Sequence, residues 1–154
     1  MPDIVLSEAE AERIVALPKQ VVGFNLWKQG DDGNWYVRMP VESGEQLPLH
    51  LYGRFNPRTH HYTFIIFLGR LNLRRLDIGR RHPNPKGSPG KRDVGIVHKH
   101  TWTDLYQNRW AYEPEDMKPS DSIAQTFHKF RRECNIALEG IFVEPPRTLQ
   151  GRLI

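Results

Sequence analysis

The stretch from Leu47 to Gly79 constrains this chain most. It reads LPLHLYGRF, NPRT, HHYTFIIFLG and RLNLRRLDIG, so apolar and aromatic runs of strand length alternate with turn residues. The breaks are too short for the dozen or more residues that a parallel crossover needs, which leaves consecutive antiparallel hairpins. Upstream, VVGFNLWKQGDDGNWYVRMPV adds two more strands around Gly30-Asp31-Asp32-Gly33-Asn34, whose glycines and aspartates suit a hairpin turn.

Helices are expected only at the two ends. Ser7-Glu8-Ala9-Glu10 has the capping-box spacing. A helix over Glu8 to Leu17 then presents Ala11, Ile14 and Val15 and stops at Pro18. Near the other end, Ile123, Phe127, Phe130 and Cys134 recur at helical spacing and predict a helix from about Ser120 to Asn135. GIVHKHTW and QNRWAYEP read as short strands, and residues 145–154, with Pro145 and Pro146, as an extended tail. The expected fold is α+β: a central antiparallel sheet of about five to seven strands, with an N-terminal helix and a C-terminal helix on one face and a site on the other.

At 154 residues and 38% apolar content, residues 1–154 suit a single domain. The one cysteine, Cys134, excludes an internal disulfide framework and a multi-cysteine zinc site, and its place on an apolar stripe marks it as a core residue. Neither a signal peptide nor a membrane span is recognisable in the sequence, so a cytoplasmic location and no membrane partner are expected.

Charge is distributed unevenly. Between Arg54 and Lys99 there are eleven Lys and Arg residues against only Asp77 and Asp93, although the whole chain carries just +4. One positive face for a polyanion is the functional expectation. Residues 79–95, GRRHPNPKGSPGKRDVG, are rich in Gly, Pro, Lys and Arg without apolar periodicity and read as a long basic loop. Candidate phosphate contacts are Arg74, Arg75, Arg80, Arg81, Lys86, Lys91, Arg92 and Lys99. Tyr52, Tyr62, Trp102, Trp110 and Tyr112 are candidates for base stacking or for the core.

His98 and His100 sit two apart in a strand and so share a face, roughly 7 Å apart, together with Ile96 and Trp102. His82 in the basic loop can join them. These three residues support two chemistries. As an acid and base pair needing no cofactor, His98 and His100 would exchange protons around a phosphodiester, with His82 assisting and Arg80 and Arg81 stabilising charge on phosphate. As ligands, His82, His98 and His100 would hold a divalent metal such as zinc, with Asp77 or Asp93 orienting or ligating. HHYTF also contains the H-h-T-h pattern of two-histidine phosphodiesterases at His61 to Phe64, but that pattern occurs here only once.

RLDIG at Arg75 to Gly79, HPNPKG at His82 to Gly87, HKH at His98 to His100, WAY at Trp110 to Tyr112 and FRRECNI together resemble a family of small uncharacterised bacterial proteins carried by phage and other mobile elements. The resemblance covers roughly Leu71 to Ile136. It singles out His82, Asn84, His98, His100 and Trp110 as motif positions, places Asp77 and Tyr112 beside them, and implies a mobile-element setting but no activity. In that family the residue between the paired histidines is usually apolar, whereas here it is Lys99.

Three functions follow as expectations. The first is a nucleic-acid-directed enzyme, a small endoribonuclease of toxin or defence type acting on RNA; ribonuclease toxins share this general architecture. The second is a non-catalytic binding or inhibitor module for nucleic acid or an acidic protein partner. The third is a three-histidine metal site.

Overall fold

A computed structural model describes residues 6–23 and 25–147. Two α-helices, α1 (Glu8–Ala16) and α2 (Ile123–Glu133), flank a strand-rich middle. The strands are β1 (Lys19–Val21), β2 (Lys28–Gln29), β3 (Trp35–Ser43), β4 (Leu49–Phe55), β5 (Tyr62–Leu68), β6 (Leu71–Ile78), β7 (His82–Pro83), β8 (Asp93–Val94), β9 (Val97–Thr101), β10 (Ala111–Tyr112) and β11 (Ile136–Ala137). Nine of them form one sheet in the order β10-β9-β6-β5-β4-β3-β1-β11, with β2 pairing β3, and β7 and β8 form a separate ribbon. Every pairing is antiparallel except β1 with β11. The α+β architecture follows the hairpin grammar of the sequence. The strand count exceeds seven because β1, β2, β10 and β11 are only two or three residues long.

The helices cap as their sequences dictate, and one does so more completely than expected. Ser7 Oγ accepts from Glu10 N–H at 3.1 Å, but the Glu10 carboxylate turns to Arg13 rather than back to the cap. The reciprocal box forms instead at α2, where Ser122 and Gln125 satisfy one another's backbone N–H groups.

Strict in-and-out burial along β3 and β4 turns Trp35, Val37, Met39, Val41, Leu49, Leu51 and Phe55 toward the helices. Phe64 and Ile66 from β5 and Leu76 and Ile78 from β6 continue that layer, and Phe127 and Phe130 of α2 close it. Phe127 lies 5.3 Å from Phe64 and stacks on Phe142 at 4.0 Å between ring centroids. Cys134, fully buried at the end of α2, is part of this core, as its place on the stripe implied. Lys19 ties the two helix ends together. Its ammonium donates to Val15 O, Leu17 O and Cys134 O at 2.6 to 2.8 Å, where both helix dipoles present their negative ends.

Trp102 departs from its expected position. β9 ends at Thr101, so strand alternation no longer governs the next residue, and Trp102 turns into the core with its indole N–H on Leu6 O at 2.8 Å. The basic segment 79–95 is likewise more ordered than a free loop, because it folds back as the β7-β8 ribbon. Of the expected tail, residues 145–147 have no regular structure and 148–154 lie outside the described residues. Among the described residues, no helix is long and apolar enough to cross a membrane.

Candidate metal centre

Among the described residues the sheet's second face carries no helix, and its register assembles the site. Thr63 pairs with Asp77, Asp77 with His98 and Arg75 with His100 across β5, β6 and β9. Since successive residues of a strand point to opposite faces, Arg75, Asp77, His98 and His100 all stand on the open face. His82 reaches the same place from β7. Its ring centroid is 5.6 Å from that of His98 and 4.5 Å from that of His100, and the two strand histidines are 5.0 Å apart.

Each imidazole is held by one nitrogen. His98 Nδ1 donates to Gly95 O at 2.9 Å, His100 Nδ1 to Asn108 O at 2.8 Å and His82 Nε2 to Arg109 O at 2.7 Å. A carbonyl oxygen can only accept, so these three nitrogens carry the protons and a neutral ring keeps its lone pair on the other nitrogen. One ring nitrogen from each of the three residues lies within 4.8 Å of the other two. Asp77 Oδ2 stands 3.2 Å from His98 Nε2 and 3.4 Å from His100 Nε2.

Two imidazole lone pairs facing one carboxylate oxygen repel unless a proton or a metal ion lies among them. Two ligand atoms bound ~2.1 Å from one tetrahedral ion stand ~3.4 Å apart, which is close to the separation between Asp77 and the histidines. The main-chain carbonyls behind the three rings are the outer partners that such ligands use to fix tautomer and orientation.

Asp77 is anchored by its own partners. Thr63 Oγ1 donates to Oδ1 at 2.6 Å, and Arg75 Nε donates to Oδ2 at 2.8 Å. Burial pushes its pKa up, but the contacts with His100 and His98, the Arg75 charge and the Thr63 hydroxyl together outweigh burial and hold the carboxyl well below the usual range. His82 is shifted down, chiefly by burial and further by His100 and His98, so it favours the neutral form a ligand needs. The side chains of His98, His100 and Asp77 are only 2%, 7% and 8% exposed, so half-buried His82 is the most open member of the site. Asp77 lines a cleft of about 60 Å³ with Asn34, Arg54, Asn56, His61 and Arg80. Gly79 keeps that wall in place, since its φ of +110° and its contact with the His61 ring leave no room for a Cβ.

Other expected site residues scatter. Arg74 and Lys99 are corrections: strand alternation sends them to the helix face, where Arg74 pairs with Glu12 at 2.6 Å and with Glu133 at 3.3 Å, and Lys99 pairs with Glu133. Neither is free to meet a phosphate. Lys99 also shows how a charge occupies the position between the histidines, 3% exposed because α2 brings it a carboxylate. Arg75 is committed to Asp77 but one-third exposed. Arg80, Arg81 and Lys86 are exposed; Lys91 is exposed and paired with Glu113, and exposed Arg92 donates to Asn84 O.

Asn84 is structural. Buried to 1%, it donates to Lys91 O and Ala111 O and accepts from Ala111 N–H, each at 2.8 Å, so it pins the β7-β8 ribbon, and with it His82, to β10. Trp110 adds a bond to Pro89 O at 2.8 Å and stacks on Tyr112 at 5.8 Å. Asp93 lies in β8, exposed and outside the three-histidine group. Thr63 of the H-h-T-h pattern does enter the site, as the hydroxyl donor to Asp77. Arg54 and Asn56 were not anticipated; only the register of β4 with β5 reveals Arg54 beside Thr63.

A family model described as a family of unknown function, DUF6978, matches residues 6–136. The chain belongs to this family. The match starts at the N-terminal helix and is longer than the stretch from Leu71 to Ile136 on which the motif resemblance was read. Comparison with curated proteins and with solved structures finds no match.

Proposed function

We propose that this DUF6978 protein is a metal-dependent phosphodiesterase directed at nucleic acid, with RNA as the expected substrate. The observation that carries the reading is the orientation of the three imidazoles, each donating one nitrogen to a main-chain carbonyl while a second nitrogen of His98 and of His100 faces Asp77. His82, His98 and His100 are assigned as ligands and Asp77 as a fourth ligand or its orienting base. A divalent ion bound there supplies Lewis acidity and lowers the pKa of bound water. Arg75 holds Asp77 ionised, and Arg54 and Arg80 flank the cleft where a phosphate would lie. The basic residues from Arg54 to Arg92, with exposed Arg80, Arg81 and Lys86 foremost, support a polyanionic substrate.

A metal-free exchange of protons by His98 and His100 fits the geometry less well. Their Nε2 atoms point at a shared, buried carboxylate rather than at open space. A toxin or defence setting accords with the resemblance to mobile-element proteins. The competing reading is a binding protein with a structural metal, favoured by the deep burial of His98 and His100. Incubation of tag-free protein with labelled mixed-sequence RNA separates the two: cleavage stopped by EDTA, restored by added metal and absent in His98→Ala supports the enzyme, whereas bound metal without cleavage supports the binding protein.

A further inference from the structure

Beyond the metal centre, the open face of the sheet carries a row of aromatic side chains that the site does not use. Tyr36 of β3 lies 6.2 Å from Tyr52 of β4, Tyr52 lies 5.8 Å from Phe67 of β5, and Phe67 stacks on His50 at 4.8 Å between ring centroids. All four are half-buried, with their neighbours in the sheet holding them upright. Exposed aromatic area of this kind on a strand face ordinarily costs free energy in water unless something covers it.

The surrounding charge names the cover. Arg38 pairs with Tyr52 across β3 and β4, Arg54 pairs with Tyr36, and Lys28 pairs with Tyr36 from β2. Asp32 also faces these rings and accepts the Tyr36 hydroxyl. A groove of about 370 Å³ between Leu26, Lys28, Tyr36, Arg38 and Tyr52 has room for a nucleotide-sized group. Rings interleaved with cations form the surface on which unpaired bases stack while their phosphates are neutralised.

Register joins this surface to the metal centre. One cross-strand row runs Tyr36, Arg54, Thr63, Asp77, His98, and the next runs Arg38, Tyr52, Ile65, Arg75, His100. From β4 to β9 is three strand spacings, about 14 Å. A chain lying across the sheet therefore passes from the aromatic row to the cleft at Asp77 within a few nucleotides.

We infer that the open face of β3, β4 and β5, built on Tyr36, Tyr52, Phe67, Arg38 and Arg54, binds single-stranded nucleic acid by base stacking and delivers it to the Asp77 centre. The inference deepens the phosphodiesterase reading by naming the form of the substrate, and rests on that reading only for where the strand ends. A duplex keeps its bases inside its own stack and offers these rings nothing to hold.

The test is fluorescence anisotropy in EDTA with a short labelled RNA of about 12 nucleotides, DNA of the same sequence, and the RNA duplex, long enough to cover one stacking surface. Folding of each variant is checked by circular dichroism. Single strands bind at least roughly ten-fold tighter than duplex, and Tyr52→Ala weakens them roughly ten-fold or more while Tyr52→Phe restores binding. Arg38→Glu weakens binding and flattens its dependence on salt. The RNA-to-DNA ratio identifies the preferred sugar. Duplex bound as tightly as single strands, or a folded Tyr52→Ala with unchanged affinity, overturns the inference. Because binding is read without metal, loss of cleavage with stacking intact removes the phosphodiesterase and leaves this surface standing.

Discussion

Strands β6 and β9 carry two charged clusters back to back, and their contrast is instructive. On the helix side, Arg74 and Lys99 meet Glu12 and Glu133, so that buried cations and carboxylates neutralise one another; within that cluster Arg74 Nε is left without a partner. On the open side, Asp77 meets Arg75, and the second ring nitrogens of His98 and His100 converge on its carboxylate. The first cluster balances its charges within the protein and ties the helices to the sheet. In the proposed reading the second is completed by a cation from outside, and that difference would distinguish a structural network from a site.

Substitutions can break the contrast from either side. On the open side, His98→Ala is expected to lower metal affinity at least roughly 100-fold, the upper range for loss of a mere orienting partner, and to abolish the thermal shift that metal confers. On the helix side, Glu133→Ala strips the cluster of its shared carboxylate and is expected to cost about 3 kcal/mol of unfolding free energy, while the affinity for metal stays unchanged; denaturant titration with and without metal checks both. Asn84→Ala leaves two carbonyls and an N–H of the ribbon and β10 unpaired and should cost about 2 kcal/mol by the same titration, with a smaller loss of metal affinity because His82 is no longer pinned.

The pH dependence sharpens the contrast further. In metal-free protein His82 has a lowered pKa, so the native state binds fewer protons than the unfolded chain below the ordinary histidine value of 6.5. Its contribution is present above that value and is lost as pH falls through it. Asp77, held far down, contributes stability that is present above ~4 and is lost only as pH falls below that value. Metal affinity measured by titration calorimetry should accordingly weaken as pH drops, because a ligand nitrogen must be free of its proton.

Much of this molecule is legible in its sequence, and the illegible parts share a cause. Hairpin turns and strand-length runs announce the sheet, and a period of two places His98 and His100 on one face. The same period places Arg74 and Lys99 on the other, yet whether a charged residue there is exposed depends on Glu12 and Glu133, which arrive from distant helices. Trp102 escaped the pattern because its strand ends one residue earlier. The carbonyls of Gly95, Asn108 and Arg109 that orient the imidazoles belong to the main chain, so no residue type signals them. Arg54 joins the site only through register, and the tie between Asn84 and β10 spans a separation that no local pattern encodes.

The most direct test is the metal content of tag-free protein purified without chelator, followed by titration of chelator-stripped protein with zinc, manganese, nickel and iron. One equivalent per chain, lost in His98→Ala and retained in Glu133→Ala, is the result the geometry predicts. Less than about a tenth of an equivalent as purified, with no binding of any of these ions on titration, would contradict a metal centre at His82, His98, His100 and Asp77.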